Sequence, residues 1–287
     1  MKKILAFGAL SLVLVASAAA ETSMWRVQRG ASVLYLGGTC HVLRPSDYPL
    51  PKEFDKAFRR AHTVVFETDL ERMKSPEVQQ ALLREGTYPE GTGLRQVLSP
   101  KAYQELARYC AENGLSMVAF DRFRPPLVVL TLLGLEFQKL GIVQGGVDEF
   151  FHARARAAKK PVHSLESAEQ QLAFVLGMGQ GRESEFLLLA LADLKRTKAV
   201  MEELIGAWRA GDERTLSILI VDQMKDFPEL YHSLFVARNR AWLPVLEGYL
   251  RSPEPELVLV GAGHLVGPDG LVAQLKKRGY RVTKAAD

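Results

Sequence analysis

Two stretches near opposite ends of the chain share one pattern, and that pattern narrows the folds open to it. They are Val33-Leu34-Tyr35-Leu36-Gly37-Gly38-Thr39-Cys40-His41 and Leu257-Val258-Leu259-Val260-Gly261-Ala262-Gly263-His264. Each runs apolar, closes on Gly-x-x-His, and continues into two apolar residues, Val42-Leu43 and Leu265-Val266. Uninterrupted aliphatic runs ended by glycine read as strands buried on both faces. Each histidine then falls just past a strand end, where open α/β sheets place their ligand sites. Two unrelated core strands, each with a histidine in the next loop, would be the plain reading of one copy. Two copies in the same context predict neighbouring strands, with His41 and His264 at one mouth.

The N-terminus reads as a leader. Met1-Lys2-Lys3 precedes an apolar run to about Val15 and then Ala16-Ser17-Ala18-Ala19-Ala20. A charged start, an apolar centre and an Ala-x-Ala end form a secretory signal peptide over residues 1–20, leaving 21–287 as one domain. The expectation is an exported protein, periplasmic or secreted, with no stable membrane anchor once the leader is removed. The formal net charge of +4 includes Lys2 and Lys3 of that leader. So small a surplus argues against nucleic acid as a partner, which calls for a clustered basic face. Export permits a disulfide between Cys40 and Cys110, but Cys110 shares a helical stripe with Tyr103 and Leu106, where a buried free thiol is equally at home.

Between the two motifs the chain alternates strand and helix signals. Met24–Gln28 and Ser32–Leu36 flank Arg29-Gly30-Ala31 as a hairpin. A helix is expected over 52–60, followed by a strand over 63–67. Ser75-Pro76 and Ser99-Pro100 open helices that stop near Gly86 and Gly114. Met117–Phe120 reads as a further strand. A mostly apolar helix follows Pro125-Pro126, and Gly145-Gly146-Val147-Asp148 opens another to Lys159, with Asp148 placed to serve the helix dipole. Pro161–Leu165 is a strand ending at Glu166, and Ser167–Gln170 a capping box. Glu183–Ala210 is expected to form one long amphipathic helix, and Glu229–Arg251 another. The Leu257–Gly261 strand, a helix over 271–278 and a strand over 280–283 close the chain as β-α-β.

Three residues besides the histidines stand out chemically. Glu67 closes an apolar strand and can point into the same mouth. With two histidines it makes a His₂-carboxylate set, a recurrent arrangement for catalytic metals; alone it would be a solvated strand-end acid. Arg238 falls in the apolar stripe of Leu230, Leu234, Trp242 and Val245. A guanidinium cannot lose its charge there, so it needs a carboxylate such as Glu67 or an anionic ligand, unless it snorkels outward. Asn239 beside it can add a hydrogen-bond donor to substrate. His62, His152, His163 and His232 lack a repeated context and read as structural or solvated.

Taken in order, Gly38-Thr39-Cys40-His41, Phe66-Glu67, Gly146-Val147-Asp148, Leu165-Glu166, Arg238-Asn239 and Gly261-Ala262-Gly263-His264 resemble the TraB/GumN family, relatives of the Tiki proteases. The resemblance implies an α/β fold: a central mixed β-sheet from two divergent repeats, flanked by helices with a helical middle insertion. It also implies an active centre of the two Gly-x-x-His histidines and the glutamate, and a divalent-metal-dependent protease activity in Tiki-like members. Relatives of the fold include erythromycin-esterase-like proteins and a haem-binding group.

Two functions are expected on these grounds. The first is an exported metal-dependent hydrolase, a peptidase acting on peptide or protein substrates. Here His41, Glu67 and His264 hold Mn²⁺, Co²⁺ or Zn²⁺ around an activated water, with Glu67 as general base if it is not a ligand. Arg238 stabilises the oxyanion. The second is a non-catalytic periplasmic binding protein for haem, a peptide or a cell-envelope glycan, with Trp25 and Trp242 as flat surfaces. A glycosidase lacks paired carboxylates at a recognisable spacing, and a serine hydrolase lacks its Gly-x-Ser-x-Gly elbow.

Overall fold

A computed structural model describes residues 22–285, apart from Val143 and Lys225. The expected leader lies outside the described residues. Among the described residues are eight strands: β1 (Met24–Arg29), β2 (Ser32–Thr39), β3 (Val42–Leu43), β4 (Thr63–Thr68), β5 (Gln144–Gly145), β6 (Val162–Glu166), β7 (Glu256–Gly261) and β8 (Arg281–Lys284). Six of them form one mixed sheet in the order β6-β4-β7-β2-β1-β8, and β3 pairs with β5 in a small second sheet. The fold is α/β. The two motif strands are neighbours: β2 and β7 run parallel with Thr39 opposite Gly261. β4 flanks β7 on the other side, also parallel. The ends that carry His41, Glu67, Glu166 and His264 therefore all open at one edge of the sheet.

Both faces of the motif strands are covered, as their unbroken apolar runs require. Leu257 and Leu259 point into one core with Phe54, Phe66, Phe151 and Trp208. Val258 and Val260, their alternates, point into the other with Trp25, Leu36, Trp242 and Leu271. This is the two-residue period of a strand buried on both sides. A third core of Leu106, Val128, Leu132, Leu187 and Leu191 belongs to helices alone; it is the helical middle of the chain. Cys40 and Cys110 are both free thiols, buried in separate cores, so the disulfide is not formed.

Three sequence expectations are corrected. Met117–Ala119 is a 3₁₀ turn, not a strand; Val118 is exposed and the amides of Ala119 and Phe120 are taken locally by Ser116 and Met117. The long helix over 183–210 is two, Glu183–Leu194 and Thr197–Ala210. Its halves serve different cores: Leu187, Leu191 and Leu194 join the helical core, whereas Ile205 and Trp208 join the sheet. One straight rod could not do both. The helical run after Pro228 contains a π-helical segment, His232–Ala237, before Arg238–Tyr249, and Val245 of its expected apolar stripe is exposed.

Trp208 fastens the Thr197–Ala210 helix to the motif strand. Its Nε1–H donates to Gly38 O at 2.6 Å, and Ser23 Oγ donates to Trp208 O at 3.0 Å, both buried. Trp208→Phe keeps most of the packing but orphans a buried carbonyl, so it is expected to cost about 1–3 kcal/mol. Urea denaturation measures this directly, and a change below about 0.5 kcal/mol would show that the bond is not needed.

Candidate active site

Local sequence builds this site from four strand ends. β2 ends at Thr39, and the chain turns through Cys40 and His41 into β3, whose partner β5 returns beside it. Gly146 N donates to His41 O at 2.7 Å and Val147 N to Cys40 O at 3.0 Å. A Cβ on Gly146 would lie 1.9 Å from Cys40 O, so only glycine permits this approach. The clamp sets Asp148, in the first turn of the next helix, against His41: Nδ1 and Oδ2 are 2.8 Å apart. Besides its place in the first turn of the helix, Asp148 orients a site histidine. With Nδ1–H given to Asp148, the Nε2 edge of His41 is left facing Gly261. A Cβ there would sit 2.9 Å from His41 Nε2 and 3.2 Å from Glu67 Oε1, so the glycine that ends β7 makes room for both groups.

Glu67, near the end of β4, is buried and hydrogen-bonded through both oxygens. Oε1 accepts from Gly261 N at 2.6 Å, and Oε2 accepts from Arg238 Nη2 at 2.6 Å. Arg238 reaches further. Its Nε and Nη2 donate to the two oxygens of Glu166 at 2.9 and 2.6 Å, and its Nη1 meets His264 Nε2 at 3.0 Å. The guanidinium lies over the Trp242 and Phe174 rings. The expectation that Arg238 needs a carboxylate is met twice, by Glu67 and by Glu166. Glu166, part of the Leu165-Glu166 piece of the family resemblance, closes β6 next to the end of β4 that carries Glu67.

The two motif histidines differ sharply. His264 Nδ1 donates to Asn239 Oδ1 at 2.7 Å, so its Nε2 carries the lone pair that accepts from Arg238. Asn239 is itself buried, and its amide donates to His264 O and Asp269 O. It holds His264 from behind and is not among the residues that line the cleft. The His264 ring is wedged between Phe235 and Trp242. Its side chain is 5% exposed, against 61% for His41. Trp25 and Trp242, proposed as flat ligand surfaces, are both core residues.

Charge follows from these partners. For Glu67, burial alone would push the carboxyl up, but the charges of His41 and Arg238 and the Gly261 amide outweigh it and hold it below the usual carboxylate range. For His264, burial dominates and Arg238 adds repulsion, so the ring is lowered to about 3 despite Glu67 and is neutral. For His41, desolvation favours the neutral ring, but the charge and hydrogen bond of Asp148, with Glu67 behind, raise it to about 9. Burial, with the charges of Asp148 and Asp47, pushes the Cys40 thiol up to about 12, so Cys40 is no nucleophile.

These groups floor a cleft of about 530 Å³ whose lining includes Thr39, His41, Glu67, Arg238 and His264. The rings of His41 and His264 therefore serve one cavity. As a metal centre, however, the expected ligand set does not fit as arranged. The lone pair of His264 and both oxygens of Glu67 are engaged, two of these contacts being made by a guanidinium whose fixed charge repels a second cation. Among the described residues no group of three or more His, Cys, Asp or Glu is disposed to hold a metal ion.

The neutral burial of His264 has a pH consequence. Its folded-state value lies below the unfolded one, so the unfolded chain binds the extra proton. The stability it contributes is present above about pH 6.5 and is lost as pH falls from there towards 3. Urea unfolding across that window should show wild-type stability declining with a steeper slope than His264→Gln. Equal slopes would mean that His264 is not held neutral.

Comparison with known proteins points the same way as the motif order. The sequence profile of the TraB/PrgY/gumN family matches residues 23–284. "Uncharacterized protein YbaP" of Escherichia coli (strain K12) is 25% identical over 245 residues, which cover 84% of this chain and 87% of that protein. The protein of the same name from Shigella flexneri gives the same figures. No solved structure matches. The profile spans every element that builds the site, from β1 to β8, and the chain belongs to the TraB/PrgY/gumN family.

Proposed function

We propose that the chain is a hydrolase of acyl bonds, amide or ester, whose reactive group is His41. The observation that carries this is the His41–Asp148 pair, with Nδ1 anchored at 2.8 Å and Nε2 left free at the mouth of a cleft. A histidine so held is a positioned proton carrier. In its neutral form Nε2 takes a proton from water as the water oxygen attacks the carbonyl carbon. Asp148 stabilises the imidazolium, which then returns the proton to the leaving group. Arg238 has five N–H groups, and one on Nη1 remains for the oxyanion. Glu67 and His264 are positioning residues: Glu67 fixes Gly261 and Arg238, and His264 fixes Arg238 from the other side. No step is routed through a metal, because, of the expected donors, His264 Nε2 and Glu67 Oε2 bind Arg238 and Glu67 Oε1 binds the Gly261 amide, which leaves His41 Nε2 alone.

The peptidase expectation is the amide case of this reading, in the exported setting that the leader implies. Fluorogenic peptide and ester panels test it, with and without chelator. His41→Ala should fold and lose about 10²–10⁴-fold in turnover, the usual contribution of a positioned acid–base group. Activity abolished by chelator and restored by Mn²⁺, Co²⁺ or Zn²⁺ would return the metal-centred mechanism. Ligand binding without turnover of any panel member would favour the non-catalytic role.

The pH profile gives a second check. A general base must be unprotonated, and His41 is raised to about 9. Turnover efficiency should therefore climb about tenfold per pH unit from neutrality and level off near pH 9. Asp148→Asn removes the group that raises His41, so the rising limb should move towards lower pH while the plateau falls. A plateau already reached at pH 7 in wild type, or no movement in Asp148→Asn, would contradict His41 as the base.

A further inference from the structure

The walls of the cleft are unlike its floor. The Pro125–Lys139 helix is apolar on two sides: Val128 and Leu132 are buried in the helical core, while Leu130, Leu133 and Phe137 turn to the cleft. A helix apolar all round is normally covered on every side, yet Leu130 is 39% exposed. Phe174, Val175 and Met178 from the Ala168–Leu176 helix and the turn after it face the same space, as do Met201 and Leu204. Leu130 to Phe137 alone makes a wall on the order of 10 Å long. Polar groups gather at one end, where His41 and Thr39 line the cleft, and the Thr39 hydroxyl beside it is buried without a hydrogen-bond partner.

We infer that the cleft takes an unbranched acyl chain, with its carbonyl at Thr39 and His41 and its tail along the helical walls. This rests on the hydrolase reading of the same site and names its substrate class. The walls distinguish an alkyl chain from a peptide. An extended peptide carries an amide about every 3.5 Å, and each amide buried without a partner is costly. Apart from the floor, the lining offers one polar side chain, Gln171. An alkyl tail asks for no partners. The thioethers of Met178 and Met201 add an adaptable surface for it. In the reaction the water oxygen bonds to the acyl carbon, the acyl–oxygen bond breaks, and the alcohol leaves with the proton that His41 took from water.

The test is a chain-length series of p-nitrophenyl esters, acetyl to dodecanoyl, with binding of octanoate and dodecanoate to His41→Ala measured by calorimetry. Turnover efficiency should rise roughly fourfold for each methylene that enters the cleft. Leu130→Gln and Leu133→Gln should each lower the dodecanoyl-to-acetyl ratio at least about tenfold, a ratio insensitive to the fraction folded. If no ester is turned over, the hydrolase reading fails, but binding that tightens with chain length and weakens in the two wall variants still supports the acyl chain. A flat series together with no fatty-acid binding overturns the inference and leaves the hydrolase standing. Tighter binding of an apolar peptide than of dodecanoate also overturns it. Comparing dioctanoylphosphatidylcholine with an N-octanoyl peptide distinguishes a lipid from an acylated peptide as the source of the chain.

Discussion

The contacts of one guanidinium tie the site together. Arg238 joins Glu67 at the end of β4, Glu166 at the end of β6 and His264 just past β7, so one side chain links three strand ends to the helix that carries it. A buried cation with two carboxylates and a neutral imidazole around it satisfies groups that would each be costly alone. Removing it would leave Glu67 and Glu166 facing one another without a counter-charge, a loss on the order of 3–5 kcal/mol. The same contacts decide the chemistry. By occupying Glu67 and the lone pair of His264, Arg238 leaves His41 as the motif histidine open to the cleft.

That outcome explains why two copies of one motif behave differently. Both histidines follow a strand, a glycine and two residues, and the two strands lie in register. What separates them is the neighbour each receives from elsewhere in the chain. His41 meets a carboxylate, Asp148, and takes up charge. His264 meets an amide, Asn239, together with a guanidinium and two aromatic rings, and stays neutral. Under the proposed function the divergence of the repeat is a division of labour, with one copy presenting a proton carrier and the other bracing the cation that organises the floor.

Much of the fold was legible in the sequence because its central strands β2, β4 and β7 are buried on both faces and several helices carry explicit start signals. The Ser75 and Ser99 caps and the Ser167–Gln170 box are all realised. Adjacency of the two motif strands followed from the repeat, and Arg238 announced itself as a charge in an apolar stripe. Less legible were features that depend on two distant segments meeting. Asp148 has a sufficient local role in its helix, so nothing nearby reveals that Gly146 lets it reach His41. Glu166 looks like any acid at a strand end until β6 takes its place beside β4. The break near Lys195 answers to packing against different cores, which no local periodicity records. The ligand set read from His41, Glu67 and His264 named groups that do share a cavity; what spacing could not reveal is that an arginine lies among their donor atoms.

The state of the two rings is the most direct test of this arrangement. Nitrogen-15 and carbon-13 NMR of ring-labelled histidine, followed from acid to alkaline pH, reads charge and tautomer at each position. His41 should remain an imidazolium through neutrality and titrate near 9, while His264 stays neutral with its proton on Nδ1 down to the lowest pH at which the protein is folded. Titration of His264 near 6.5, or a proton on its Nε2, would contradict the arrangement, because Arg238 would then have no lone pair to hold.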